Sequence, residues 1–258
     1  MDKASTRRTD SQRRRLVLGA AGIALPLGVT GCATGSNAAG SGRQFAPPQV
    51  RPGDRWLYVE INRYNGLPLA NVEVSVTNSY PLTCSVRRTR TDSTAGEIAR
   101  ANAVQEERYS EPWSVDVEPI YDLTMDFEQP MPILPSSLRV GASDSRATTY
   151  TVKGYSGRYR WSQRLRAVGA EKLVTPAGSF DCLRVQRTIW FDYPDVFRFG
   201  SARVDDAWYA PEVNRWVRRE WTGDYQHENF FGKMGSRRRE DWVRWDLLSY
   251  RPAARPAS

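Results

Sequence analysis

Asn71-Val72-Glu73-Val74-Ser75-Val76-Thr77 alternates without a break, three valines pointing one way and four polar side chains the other. A period of two is the mark of a strand with one buried face. Leu57, Val59 and Ile61 line one face of a preceding strand. Asn65-Gly66 between the two runs signals a turn, which Leu67-Pro68 lengthens beyond a two-residue hairpin. Further along, Arg158 to Arg166 sets Tyr159, Trp161 and Leu165 against Arg158, Arg160, Arg164 and Arg166. The last run, Asp241 to Tyr250, is apolar on both faces (Val243, Trp245, Leu247 and Trp242, Leu248, Tyr250), which implies cover on both sides. Turn punctuation is frequent, and the best stretch of helical periodicity is Thr94 to Arg108. The pattern predicts an all-β domain: a single antiparallel curved sheet or partial β-barrel with at most one or two short helices.

The N-terminus carries an address. Arg13-Arg14-Arg15 precedes an apolar run, Leu16 to Val29, that is too short and too rich in Gly and Ala to span a membrane as a stable helix. Val29-Thr30-Gly31-Cys32 resembles the lipobox of bacterial lipoproteins, which implies cleavage before Cys32 and a diacylglycerol on its sulfur. Ser11 to Leu18, with Arg13 and Arg14, resembles a twin-arginine export signal, general secretion being the alternative. The expected organisation is a signal peptide (1–31), a lipidated flexible tether (32–49), one β domain (50–250) and a disordered tail (251–258). Ala33, rather than Asp, after Cys32 resembles outer-membrane sorting, so the expected place is the periplasm-facing envelope, outer membrane favoured over inner.

Removing the leader changes the charge. The chain has 37 basic and 29 acidic residues, a formal +8, of which six and two lie in residues 1–31. The remaining 31 against 27 give +4, which is not the balance of a nucleic-acid binder. After the leader the cations are arginines apart from Lys153, Lys172 and Lys233.

Gly169 to Val185, with Pro176-Ala177-Gly178-Ser179-Phe180 at its turn, resembles a unit that recurs in uncharacterised proteobacterial periplasmic β-domain families. Trp208-Tyr209-Ala210-Pro211 through Glu220 matches its downstream partner, with Asn214 where a Gly usually stands. Asn tolerates the left-handed turn that position asks for. Gly53 to Tyr58 and Leu247 to Tyr250 look like the unit's first and last strands. Such families are similar in shape to the outer-membrane lipoprotein carrier proteins, whose half-open β-barrel holds an acyl chain. That likeness implies a fold and leaves function open.

Candidate chemistry is sparse. The one histidine, His227, sits in a polar-aromatic stretch that reads as a loop, and no Cys/His cluster has metal-ligand spacing, so neither a metal nor a cofactor is expected. No serine stands in a Gly-x-Ser-x-Gly elbow. Asp205 and Asp206, with Glu212 nearby, are paired in sequence, but neighbours on a strand point to opposite faces. Cys84 shares a face with Leu82 and Val86, whereas Cys182 alternates with Phe180 and not with Leu183 and Val185. A bulge, or cover on both faces, would account for the second cysteine. A Cys84–Cys182 disulfide and two separately buried thiols are both open.

Aromatic residues carry the functional signal. Nine Trp are present, and between Trp190 and Phe231 lie Phe197, Phe199, Trp208 and Phe230. Most of these rings are core; some are candidates to line a pocket for an acyl chain, to stack on sugar rings, or to dock a protein. The expectation is a non-enzymatic, lipid-anchored envelope binding or structural protein that holds a lipid-like ligand in a β-cavity. A glycan-binding or envelope-assembly subunit is the alternative, and a hydrolytic enzyme the third.

Overall fold

The structure is a computed structural model describing residues 42–91, 104–120, 123–195, 197–228 and 234–254. Thirteen strands run β1 (Arg55–Asn62), β2 (Pro68–Ser79), β3 (Leu82–Arg90), β4 (Val104–Glu111), β5 (Ser114–Ile120), β6 (Leu123–Pro132) and β7 (Ser143–Val152). They continue with β8 (Tyr159–Thr175), β9 (Gly178–Phe191), β10 (Arg198–Ala210), β11 (Arg215–Glu228), β12 (Met234–Arg239) and β13 (Val243–Arg251). A 3-10 turn, η1 (Pro211–Val213), links β10 to β11. Each strand pairs antiparallel with its neighbours in the order β10-β9-β8-β7-β6-β5-β4-β3-β2-β1-β13-β11, and β11 returns to β10. The all-β reading therefore holds, and the sheet closes into a ring of twelve strands rather than staying half open. β12 prolongs the line of β13 along the second half of β11.

Alternation decides what fills the ring. On β8 Trp161, Gln163, Leu165 and Ala167 are buried while Arg160, Arg164 and Arg166 are exposed. A wall with charged outward positions is the reverse of a transmembrane barrel, whose outer band is apolar. Trp56, Trp113, Trp161 and Trp216, each at most 1% exposed, fill the interior. On β13, Val243, Trp245 and Leu247 point inward, and a register shift against β1 then turns Tyr250 in to stack on Trp56. The strand that read as apolar on both faces thus changes phase partway along.

The turns sort onto two ends. The β2–β3, β4–β5, β6–β7, β8–β9 and β10–β11 connections lie at the near end, where β1 begins; β1–β2, β7–β8 and β9–β10 lie at the far end. Gly66 has φ 75, as its turn requires, and Asn214 takes the left-handed φ 56 that replaces the expected Gly.

Four expectations need correction. The tail does not begin at 251: Arg251 closes β13 opposite Arg55, and Ala253 N donates to Asp54 Oδ1 at 2.8 Å. The helical stretch Thr94 to Arg108 overlaps β4 from Val104 on, because Glu107 and Tyr109 alternate inward and pairing with β3 fixes the backbone; residues 94–103 lie outside the described residues. The tether does not extend to residue 49. Phe45 is 4% exposed, Gln44 bridges Arg139, and Ala46 O accepts the Tyr209 hydroxyl at 2.7 Å. His227 is no loop residue: it stands on β11 opposite Arg198 and stacks on Phe197.

Candidate functional site

The barrel interior holds charge. Arg187 on β9 reaches Asp205 on β10 at 2.7 Å and Glu118 on β5 at 3.3 Å. Arg219 on β11 reaches the same two carboxylates at 2.8 and 2.6 Å. All four are 5% exposed or less. Burial alone would raise both acids, but Arg219 and Arg187 outweigh it and hold Asp205 well below the carboxylate range; the same arginines lower Glu118. Nearer the near end, Arg215 pairs with Glu107 at 3.2 Å and lies against the rings of Trp216, Trp113 and Trp56. Tyr109 donates to the same Glu107 at 2.6 Å. With every carboxylate committed to guanidinium, this cluster acts as internal mortar and offers no free acid or base.

Open space lies elsewhere. β6 and β7 pair only where Met125–Phe127 meets Tyr150–Val152; towards the near end they splay. The split is a groove of about 760 Å³ between Gln129–Pro132, Asp144, Arg146, the β4–β5 turn and the incoming segment Gln44–Pro48. Its floor is Phe45, Trp113, Met131, Leu134 and Leu138, all buried. Pro47, Pro48, Pro112, Pro130, Pro132 and Pro135 line it as well, and proline has no N–H to offer a ligand. Glu111, Asp144, Arg146 and Gln129 supply a polar rim. Two features hold the groove's back wall. Trp113 adopts φ 66, a left-handed conformation rare for so large a side chain, and its indole donates to Asn214 O at 2.8 Å. Asn214, the other left-handed residue besides glycine among the described residues, also accepts from Gln49 N at 2.9 Å, pinning the incoming chain.

The sequence-based candidates scatter. Trp190, Phe197 and Phe199 are exposed, all in the far half of the barrel. Trp208 is not with them: it is 9% exposed on the outer wall near the other end, under Arg184, with its indole donating to Glu171 at 2.6 Å. Phe230 and Phe231 lie outside the described residues, as do Cys32, Arg13 and Arg14. Cys84 and Cys182 are free and fully buried, on β3 and β9, six strands apart either way round the ring. Cys182 and its neighbour Leu183 are both at 0% exposure, so β9 is covered on both faces there. Asp205 and Asp206 face opposite ways, Asp206 turning out to Arg184. Among the described residues no group of three His, Cys, Asp or Glu is placed to hold a metal.

Arg187, Arg215, Arg219, Glu107 and Glu118 are absent from those candidates. Their signal is phase: Val185-Arg187-Ile189 and Arg215-Val217-Arg219 place a cation on the apolar side of an alternation. The groove's signal is the run of prolines at 130, 132 and 135.

No protein-family model matches the chain, and no curated protein matches it. Among solved structures it is similar to one described as a candidate lipoprotein from Parabacteroides distasonis ATCC 8503, at 15% identity and TM-score 0.48, over 81% of this chain and 99% of that one. It is also similar to a candidate exported protein with a YmcC-like fold from Bacteroides fragilis NCTC 9343, at 15% identity and TM-score 0.46, over 81% and 100%. Likeness at this level is one of outline.

Proposed function

We propose that this chain is a lipid-anchored, periplasm-facing envelope protein, outer membrane favoured, that binds without catalysis and holds an amphiphile's acyl chain in the β6–β7 groove. The observation that carries this reading is the groove itself, with its apolar floor, proline walls and polar rim. Its volume of about 760 Å³ lies within the range of small-ligand sites. Walls poor in N–H donors suit a hydrocarbon chain, which forms no hydrogen bonds, better than a peptide or a sugar. The barrel's own lumen is filled by tryptophans and ion pairs, so a ligand's place is this lateral split. The left-handed Trp113 supports the same reading, since strained backbone gathers at binding sites.

Native mass spectrometry of the full chain carrying Cys32→Ser, purified without detergent, tests this. A co-purifying mass released by organic solvent is expected, and Ser136→Trp, an exposed rim position, should abolish it with the fold intact by circular dichroism. A clean apo mass, or an equal load on Ser136→Trp, would overturn the proposal.

A further inference from the structure

The outer wall of β7 to β10 gathers small and hydroxyl side chains around one exposed indole. Reading across the sheet, Ala147, Ser162, Trp190 and Ala202 form one outward row. The indole therefore has small neighbours on both sides, and Trp190 is 49% exposed. The next row is Ser145, Arg164, Thr188 and Val204, and the one after it Ser143, Arg166, Gln186 and Asp206. Beside Trp190 a shallow depression of about 360 Å³ is walled by Arg160, Ser162, Asp192 and Gly200. Arg160 is committed to Asp192 at 2.8 Å, but Arg164 and Arg166 are exposed and make no ion pair among the described residues.

A stretch of wall dominated by small and polar side chains, with an open indole and two uncommitted guanidinium groups, fits one kind of occupant. We propose that this panel binds an anionic polysaccharide, Trp190 stacking on a sugar ring and Arg164 and Arg166 meeting its carboxylate or phosphate groups. Indole faces suit the apolar side of a sugar ring, and guanidinium matches carboxylate and phosphate geometry bidentately. Charge complementarity selects an anionic over a neutral glycan. A polymer is favoured over a single lipid headgroup because Trp190, Arg164 and Arg166 stand on three successive outward rows, spread over about 14 Å of strand. This site is independent of the β6–β7 groove.

Calorimetric titration of the full Cys32→Ser chain with alginate oligosaccharides, dextran oligosaccharides and phosphatidylglycerol vesicles tests the assignment. Alginate should bind and dextran should not. Trp190→Ala should weaken alginate binding about tenfold. Arg164→Ala with Arg166→Ala should abolish it, whereas Lys172→Ala, an exposed cation nearer the other end of β8, and Ser136→Trp in the groove should leave it unchanged. Absence of alginate binding, wild-type affinity in Trp190→Ala, an equal loss in Lys172→Ala, or binding to vesicles alone would each overturn it.

Discussion

Arg219 and Arg164 carry the same guanidinium on strands of one barrel, in opposite surroundings. Arg219 is 4% exposed and grips Asp205 and Glu118; Arg164 stands in solvent with no ion pair among the described residues. A single step of phase separates the two cases. On β8 the arginines fall between Trp161, Gln163 and Leu165; on β11 Arg219 stands opposite buried Ala207, and Arg215 is buried beyond a register shift at Val217. An inward cation cannot shed its charge, so the fold must bring carboxylates to it from other strands. An outward one needs nothing and stays available to a partner.

The comparison breaks most sharply under substitution. Arg219→Met should cost about 3–5 kcal/mol, because Glu118 and Asp205 would keep Arg187 and the nearby Arg203 but lose their most closely bonded cation in a buried site. Arg164→Met should stay within about 0.5 kcal/mol of wild type. Urea unfolding of both variants measures the difference, and equal losses would show that inward and outward arginines are not distinct classes.

Acid should separate the adjacent pair Asp205 and Asp206 by a smaller margin. Asp205 is held well below its ordinary value, the arginines outweighing burial, so the stability it contributes is complete above about pH 5. That contribution is lost as pH falls through the ordinary carboxylate range towards the depressed folded value. Asp206 has the opposite sign: burial raises its carboxyl despite Arg184, so the folded state binds that proton more tightly and gains as pH falls. Melting curves between pH 3 and 7 should therefore show a flatter acid limb for Asp205→Asn and none of that flattening for Asp206→Asn. Matching limbs would remove the distinction.

These contrasts also show how far the sequence is readable. The alternation over 71–77 and 158–166, the Asn65-Gly66 turn, the left-handed Asn214 and the opposed Asp205 and Asp206 all depend on neighbours within a few residues, and all are legible. Closure of the ring, which needs β1 to pair with β13 at the far end of the chain, is not, because local alternation is the same in an open sheet and a closed one. The charge cluster is hidden for a related reason. Glu118 and Arg219 are 101 residues apart in the chain, and an arginine in an apolar phase looks like an error until its counter-ion arrives. Trp190 and Trp208 look alike in sequence; cross-strand neighbours alone decide that one is open and the other capped by Arg184. The groove comes from two strands parting, an event that leaves only its prolines behind as a trace.

The two cysteines sharpen the comparison at its quietest point. Cys84 faces the core from β3 beside Arg215, and Cys182 is buried on β9, where its thiol donates to Phe180 O at 3.6 Å. Burial pushes both thiols up to about 12, so each answers its surroundings by keeping its proton. Arginine has no such answer, which is why Arg187, Arg215 and Arg219 come with Asp205, Glu118 or Glu107, whereas a buried thiol that keeps its proton needs no opposite charge. Iodoacetamide at pH 8 should then label neither cysteine in the folded protein and both in urea, and dithiothreitol should leave the melting temperature unchanged. A melting temperature that fell on reduction would mean the two sides of the ring are joined by a bridge. The thiols would then belong, like the arginines, to the groups that need a partner from across the fold.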